Sequence, residues 1–221
     1  MGIISVEQAD HLFWLGRYTE RVYTTLRIYS QNFDIMIDEI ADSYAQYCEA
    51  VDIPNIYTSK ADFQEKYPFD ASNPDSIIST LNRAYDNAIV LRESIGSETL
   101  SYIQLAIYDM NKASVSRAPL IEMQRVIDNL LAFWGIADDW IDSEQVRNII
   151  KAGKRVERID LFARLGVGQT ELIREVDRMV PRVERSGMKY NAEKINILKE
   201  LVRAEKIDYY RVVDEVESLV G

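Results

Sequence analysis

The stretch Gly16-Arg17-Tyr18-Thr19-Glu20-Arg21 decides the fold, because it lies within a long helical repeat of apolar residues and returns as Gly153-Lys154-Arg155-Val156-Glu157-Arg158. An offset of 137 positions lays residues 12–28 over residues 149–165 and superposes the glycine, the glutamate and the final arginine of the two copies. A glycine inside a helix costs about 1 kcal/mol relative to alanine, so its double occurrence predicts the close approach of another backbone or of a ligand.

Each copy also projects a polar stripe beside the apolar face of its helix, at 100° per residue. The stripes contain Gly16, Glu20, Tyr23 and Arg27 in the first copy, and Gly153, Glu157, Asp160 and Arg164 in the second. We predict that the two motif helices pack near each other. Two interpretations remain open: a crossing that buries glutamate–arginine pairs, or one pocket in which the charged groups face a polar ligand.

The chain as a whole is predicted to form one all-α domain over residues 1–221, a bundle of about seven to nine helices with a long first helix. Few prolines and glycines interrupt the apolar periodicity, and no segment alternates as a strand would. The predicted helices cover residues 5–50, 60–66, about 73–94, 97–114, 119 to about 140, 142–165, 170–180, 191–204 and 208–219. The predicted N-caps are Ser5, to which Gln8 reaches back, Asn73 and Asp142. Pro181 is predicted to end the helix over 170–180.

The charge balance limits the partners. Thirty-six acidic and 26 basic residues give a formal net charge of −10, which disfavours nucleic acid and anionic membrane surfaces. The start has no signal-peptide pattern, and no apolar run is long enough to span a bilayer, so a cytoplasmic location is expected. Cys48 is the single cysteine, which excludes an internal disulfide and a multi-cysteine zinc site. We expect it to be a packing residue.

The stretch from Phe13 to Arg21 resembles the W-x-G-R-x-x-E-R opening of the alpha-E family, a group of bacterial helical proteins. The resemblance continues in order through most of the chain, in the segments 73–77, 87–88, 92–93, 97–98 and 153–158. Lys154 replaces an arginine of the family pattern. Tyr85 and Ile89 stand where family members usually have basic residues beside the Asn87-Ala88 pair, and Leu100 and Gln104 stand where Trp and Asn are common.

The resemblance implies an all-α domain encoded or fused beside ATP-grasp-type ligases and transglutaminase-like peptidases, and thus a role in peptide or amide metabolism. One hypothesis is a non-catalytic or accessory partner of an ATP-dependent amide-forming ligase or of a transglutaminase-like protein, with self-association as a further option. The other is an enzyme that acts on a peptide or amide substrate, with Glu20 and Glu157 as acid–base or substrate-binding groups. No cofactor or metal is expected. The candidate polar site comprises Gly16, Arg17, Glu20, Arg21, Arg27, Asn87, Arg92, Gly153, Lys154, Glu157, Arg158 and Arg164.

Four other features of the sequence need an interpretation. The run from Asp138 to Asp142 fits the D-D-x-x-D motif of prenyl synthases, but no second acidic motif accompanies it and helix capping explains most of it. His11, the only histidine, lacks the Glu-x-x-His spacing of a di-iron site. A Ser-His-Asp triad built on it is possible but has no Gly-x-Ser-x-Gly elbow to support it, and His11 is expected to cap or pack. Thirteen tyrosines are compatible with a protein interface or with ordinary packing. The tail segment 182–185 repeats the letters R-V-E-R without the glycine and is expected to begin a solvated helix.

Overall fold

A computed structural model describes residues 4–38 and 43–220, and ten helices and no strand occur in these two ranges. The all-α prediction is confirmed, with slightly more helices than expected. The helices are α1 (Val6–Asp38), α2 (Ser43–Ala50), α3 (Lys60–Phe69), α4 (Ile77–Val90), α5 (Arg92–Ser114), α6 (Pro119–Trp140), α7 (Glu144–Arg164), α8 (Gln169–Ser186), α9 (Ala192–Arg203) and α10 (Tyr209–Glu217).

The two motif helices, α1 and α7, form the centre of the bundle. Helix α4 packs on α1, and the antiparallel pair of α5 and α6 follows α4. On the other side of the bundle, α8 and α10 pack on α7, and α9 packs on both α8 and α10. The apolar faces of α1 and α7 supply fully buried residues to the core, among them Leu12, Leu15, Val22, Ile149, Val156 and Ile159. Burial of apolar surface contributes about 25 cal/mol per Å², so this central pair is a main source of stability for the fold.

The predicted single helix over residues 5–50 is wrong. A straight helix would separate residues 25 and 47 by about 33 Å at 1.5 Å per residue, yet the Tyr47 hydroxyl donates to the Thr25 carbonyl at 3.3 Å. Helices α1 and α2 are therefore separate elements that lie against one another, and residues 39–42 fall outside the described ranges. The periodicity alone could not show this, because apolar positions in both helices keep the same spacing.

Two predicted N-caps are also shifted along the chain. Asn73 forms a local turn, accepting from the Asp75 amide at 2.9 Å, and the cap of α4 is Ser76, which accepts from the Ser79 amide. Helix α7 is capped by Ser143 rather than by Asp142. Ser5 does accept from the Gln8 amide at 3.1 Å, but the Gln8 side chain donates to Ser94 on α5 instead of reaching back.

Pro181 lies inside α8 and does not end it. The apolar stripe continues across the proline through the buried residues Leu172, Val176, Met179 and Val183, and packing of that stripe on α7 offsets the hydrogen bond that proline removes. The predicted helix start at residues 182–185 is therefore wrong. The predicted break at residues 95–98 is confirmed at Gly96, whose φ of 79° and ψ of 156° interrupt α5.

Several tyrosines pack together between α1, α2 and α3. Tyr47 and Tyr67 are buried, their rings lie 5.4 Å apart, and Phe63 stacks on Tyr67 with ring centroids 5.0 Å apart. Cys48 is buried beside this cluster, and burial raises the pKa of its thiol to about 11, as expected of a packing residue. Tyr210, by contrast, is 88% exposed.

Within the described ranges, none of the helices combines the length and the apolar composition needed to cross a membrane.

Candidate functional site

The two motif glycines lie where α1 and α7 cross. A Cβ atom built on Gly16 would stand 2.0 Å from the carbonyl oxygen of Ile150, and one built on Gly153 would stand 2.0 Å from that of Phe13. Phe13 and Ile150 are related by the same offset of 137 positions as the glycines. The crossing is therefore pseudo-symmetric, and each glycine permits the backbone of the other helix to approach within van der Waals contact.

Each motif glutamate pairs with arginine of the opposite helix. Glu20 is fully buried and accepts from Nε and Nη2 of Arg158 at 2.6 and 2.9 Å, and from the Thr24 hydroxyl at 2.9 Å. Glu157 is 1% exposed and accepts from Nε of Arg17 at 2.6 Å and from Nε of Arg21. Such paired, hydrogen-bonded charges offset the desolvation that either would suffer alone.

The two arginines that share a stripe with a motif glutamate do not pair with that glutamate. Arg27 is exposed and donates to the Tyr23 hydroxyl at 3.1 Å, so it does not pair with Glu20. Arg164 pairs with Asp160, Asp52 and Glu217 rather than with Glu157. It thereby connects α7 to α10 and to the segment after α2.

Lys154 is the point where the symmetry fails. It corresponds to Arg17, but its ammonium lies 3.8 Å from the centre of the Trp134 ring, and no carboxylate of the described residues lies within 4 Å of it. Burial, the largest influence, lowers the pKa of Lys154 to about 7, with Arg155 and Arg158 adding to the effect and Glu20 and Glu175 opposing it. A lysine in this position therefore carries an incompletely compensated charge.

Two further buried carboxylates extend the network. Sequence reasoning placed Asp160 on the second polar stripe but not among the candidate site residues, and it missed Glu175. Glu175 of α8 is 1% exposed and contacts Arg155 and, at 3.2 Å, Arg178. Asp160 of α7 is fully buried and accepts from Arg164 at 2.9 Å, while its second oxygen accepts no hydrogen bond from the described residues. The apolar stripe of α8 could have indicated Glu175, because that residue lies beside Leu172 and Val176 on the buried face.

Like Arg27, two more predicted residues lie apart from this network. Asn87 on α4 has its Oδ1 atom 2.6 Å from Nδ1 of His11, so this contact joins α4 to α1 and accounts for the histidine. Arg92 is exposed and donates to Ser97 at 3.2 Å. Eight of the twelve predicted residues come together at the crossing: Gly16, Arg17, Glu20, Arg21, Gly153, Lys154, Glu157 and Arg158. Arg164 is linked to them through Asp160. Arg27, Asn87 and Arg92 lie outside the crossing.

One cavity, of about 330 Å³, touches both copies of the motif, since Arg17 and Arg21 of the first copy line it together with Glu157 of the second. Glu20 does not line this cavity. The carboxylates of both glutamates already accept hydrogen bonds from arginine of the opposite helix. The arrangement is poorly suited to acid–base catalysis.

Metal chemistry finds no support in residues 4–38 and 43–220, where no group of three or more His, Cys, Asp or Glu side chains could hold an ion. Asp138 is about half exposed and pairs with Lys151, and Asp139 and Asp142 are exposed. The acidic run spans the last turn of α6 and the start of α7, but Asp142 is not the cap of α7, so the interpretation of the run through an Asp142 cap is wrong.

Asp160 makes the stability of the protein depend on pH. Burial and the neighbouring charge of Glu157 raise the pKa of Asp160 to about 6, against the opposing effects of Arg164 and Arg21. The folded state therefore binds this proton more tightly than the unfolded state, and the contribution of Asp160 to stability falls as pH rises from about 4 to about 6. We expect Asp160→Asn to remove this fall, which amounts to about 3 kcal/mol at most. Urea denaturation at several pH values checks this, and an unchanged slope in the variant would count against a raised pKa.

Comparison with known proteins gives one match. A family model described as "Alpha-E: A predicted alpha-helical domain with a conserved ER motif" matches residues 7–193. No curated protein matches the chain, and no solved structure matches it. The matched range includes both Glu-Arg pairs of the crossing, Glu20-Arg21 and Glu157-Arg158.

Proposed function

The chain belongs to the alpha-E family, and we propose that it acts as a non-catalytic helical partner of an ATP-dependent ligase that forms peptide or amide bonds. The saturation of both motif glutamates by arginine carries the non-catalytic part of this proposal. The ligase is the partner class that the resemblance to the family implies. Because such a ligase consumes ATP, the proposal includes a cytoplasmic location.

The enzyme alternative receives less support from the geometry. A general acid or base must reach its substrate within hydrogen-bond distance, but Glu20 is fully buried and Glu157 is 1% exposed. Their hydrogen-bond partners come from the opposite helix of the same crossing. A substrate would have to displace these arginines, and breaking a buried ion pair typically costs 3–5 kcal/mol.

A partner surface is available on the pair formed by α5 and α6. Asp109 of α5 accepts from Asn129 of α6 at 2.8 Å, which aligns the two antiparallel helices. Large apolar side chains remain exposed along the pair, with Tyr108 66% exposed, Ile121 67% exposed and Val115 84% exposed. Exposed aromatic and aliphatic residues of this kind serve as anchors in protein interfaces. We name Tyr108, Val115 and Ile121 the α5–α6 surface.

The test is binding of the purified chain to a purified ATP-grasp-type ligase of the same organism, measured by isothermal titration calorimetry. We expect a saturable complex that the double variant Tyr108→Glu/Ile121→Glu weakens at least tenfold, about 1.4 kcal/mol. Tyr210→Glu is the matched control, since Tyr210 is an exposed tyrosine on the distant helix α10, and it should leave the affinity unchanged.

Absence of binding by the wild-type chain would overturn the proposal. Binding to a transglutaminase-like protein in place of the ligase would overturn the partner class. Circular dichroism of the double variant should be that of the wild type, because both substitutions lie at exposed positions.

A further inference from the structure

A cleft between α6, α7 and α8 concentrates positive charge on a strongly acidic protein. It measures about 530 Å³, and its charged lining consists of Lys151, Lys154, Arg155, Arg178 and Arg182 against Asp138 and Asp177. Buried Glu175 lies beneath Arg155 and Arg178. By formal charge, the five basic side chains exceed the three acidic ones, Glu175 included, by two, although the whole chain has a formal net charge of −10.

Most of these cations already have partners, and two do not have a carboxylate. Lys151 pairs with Asp138, Asp177 pairs with Arg203 from α9 at 2.6 Å, and Arg155 and Arg178 pair with Glu175. Arg182 donates only to the neutral side-chain oxygen of Asn148, at 3.0 Å, and no carboxylate of the described residues lies within 4 Å of its guanidinium. Lys154 faces the Trp134 ring.

We propose that this cleft binds a small phosphate-bearing ligand through Lys154 and Arg182. A phosphate monoester is close to a dianion at neutral pH and offers three acceptor oxygens, which matches the excess of two charges and the donors that lack carboxylates. Arginine and lysine are the usual phosphate donors in proteins. The inference does not depend on the ligase partnership, because it rests on different residues.

The environment of Lys154 supports the same ligand class. Burial lowers the pKa of this lysine to about 7, and the charges around it come from Glu20 on α1, from Arg155 and Arg158 on α7, and from Glu175 on α8. The two nearby arginines act in the same direction as burial and the two glutamates act against it. A bound dianion would supply the missing negative charge and favour the ammonium form.

The cleft also depends on a feature that the sequence alone concealed. Arg182 follows Pro181 and reaches the cleft because α8 continues through the proline to Ser186. Lys154 reaches the same cleft from the motif position at which α7 has lysine where α1 has Arg17. Lys154 therefore brings to the cleft a cation that has no carboxylate of the described residues within 4 Å, whereas the corresponding Arg17 pairs with Glu157.

The experiment is calorimetric titration of the full chain with inorganic phosphate and with pyrophosphate, in chloride buffer at constant ionic strength. We expect one saturable site for either probe, weakened at least tenfold by Lys154→Met and by Arg182→Gln. Lys206→Gln is the control, since Lys206 is exposed and lies outside the cleft, and its affinity should equal that of the wild type. Melting temperatures without phosphate verify that each variant is folded.

Three results would overturn the inference. The first is the absence of saturable binding by either probe. The second is equal binding by the wild type, Lys154→Met and Arg182→Gln, which would locate the site elsewhere. The third is tighter binding of succinate, a dicarboxylate of the same charge, which would contradict the phosphate class.

Discussion

Replacement of Gly16 or of Gly153 by alanine is expected to lower the free energy of unfolding by about 3 kcal/mol or more, the upper end of the range for overpacking. Each added Cβ would stand 2.0 Å from a carbonyl oxygen of the opposite helix. That oxygen belongs to a helical backbone and cannot move without separating α1 from α7. The gain in helix propensity, about 1 kcal/mol, is too small to offset the clash. Urea denaturation of each variant measures the loss.

Gly135→Ala is the matched control for this prediction. Gly135 also lies inside a helix, α6, but it is exposed and a Cβ there would meet no atom within 4 Å. The same substitution should therefore stabilise the protein by up to about 1 kcal/mol. If Gly16→Ala and Gly135→Ala had the same sign, the close crossing of the two helices would be refuted.

Glu20→Gln is expected to lower the free energy of unfolding by 3–5 kcal/mol, the typical cost of removing one member of a buried ion pair. The amide cannot accept both bonds from Arg158 as a carboxylate does, and it leaves that guanidinium, 17% exposed, with Glu175 at 3.9 Å as its nearest acid. Since natural domains are stable by only about 5–15 kcal/mol, the variant should unfold at a much lower urea concentration.

Asp177→Asn provides the comparison for Glu20→Gln, because it removes a carboxylate from an ion pair that is 42–49% exposed. Exposed pairs are worth about 0–1 kcal/mol, so this variant should remain close to the wild type. A Glu20→Gln variant as stable as Asp177→Asn would show that Glu20 is free to serve a different role.

The helical class could be predicted because the apolar spacing is a property of each segment by itself. Helices α3, α5, α6, α7, α9 and α10 fall close to their predicted ranges for that reason. The failures occur where tertiary contacts decide. Tyr47 of α2 contacts Thr25 of α1, so the chain must turn between these two helices. Packing on α7 allows α8 to continue past Pro181. The spacing of apolar residues within one segment indicates neither contact.

The sequence predicted which helices meet at the candidate site, but not which side chains pair there. Helical angles placed Gly16 and Glu20 on one face, and their recurrence at 153 and 157 indicated that the two helices meet. The angles could not identify the arginine that each glutamate binds, because a partner on the opposite helix depends on the crossing angle. Within α1, Arg27 is the arginine on the same stripe as Glu20. Across the crossing, Arg158 is the residue that reaches it.

Glu175 is a buried member of the network that the repeated motif does not include. It belongs to neither motif copy, yet it is buried against Arg155 and Arg178 and completes the network on the α8 side. The repeated motif could not indicate Glu175, because α8 contains no copy of the motif. Glu175 joins the network only because α8 packs on α7.

The central claim is that the repeated motif is a structural crossing in which each glutamate binds the arginine of the other helix. A double-mutant cycle between Glu20→Gln and Arg158→Gln tests it most directly, with urea denaturation as the readout and the cycle between Glu20→Gln and Arg27→Gln for comparison. The account predicts a coupling of about 2 kcal/mol or more between Glu20 and Arg158, within the range for residues in one network, and almost none between Glu20 and Arg27. Additive effects of Glu20→Gln and Arg158→Gln, or a stronger coupling to Arg27, would contradict it.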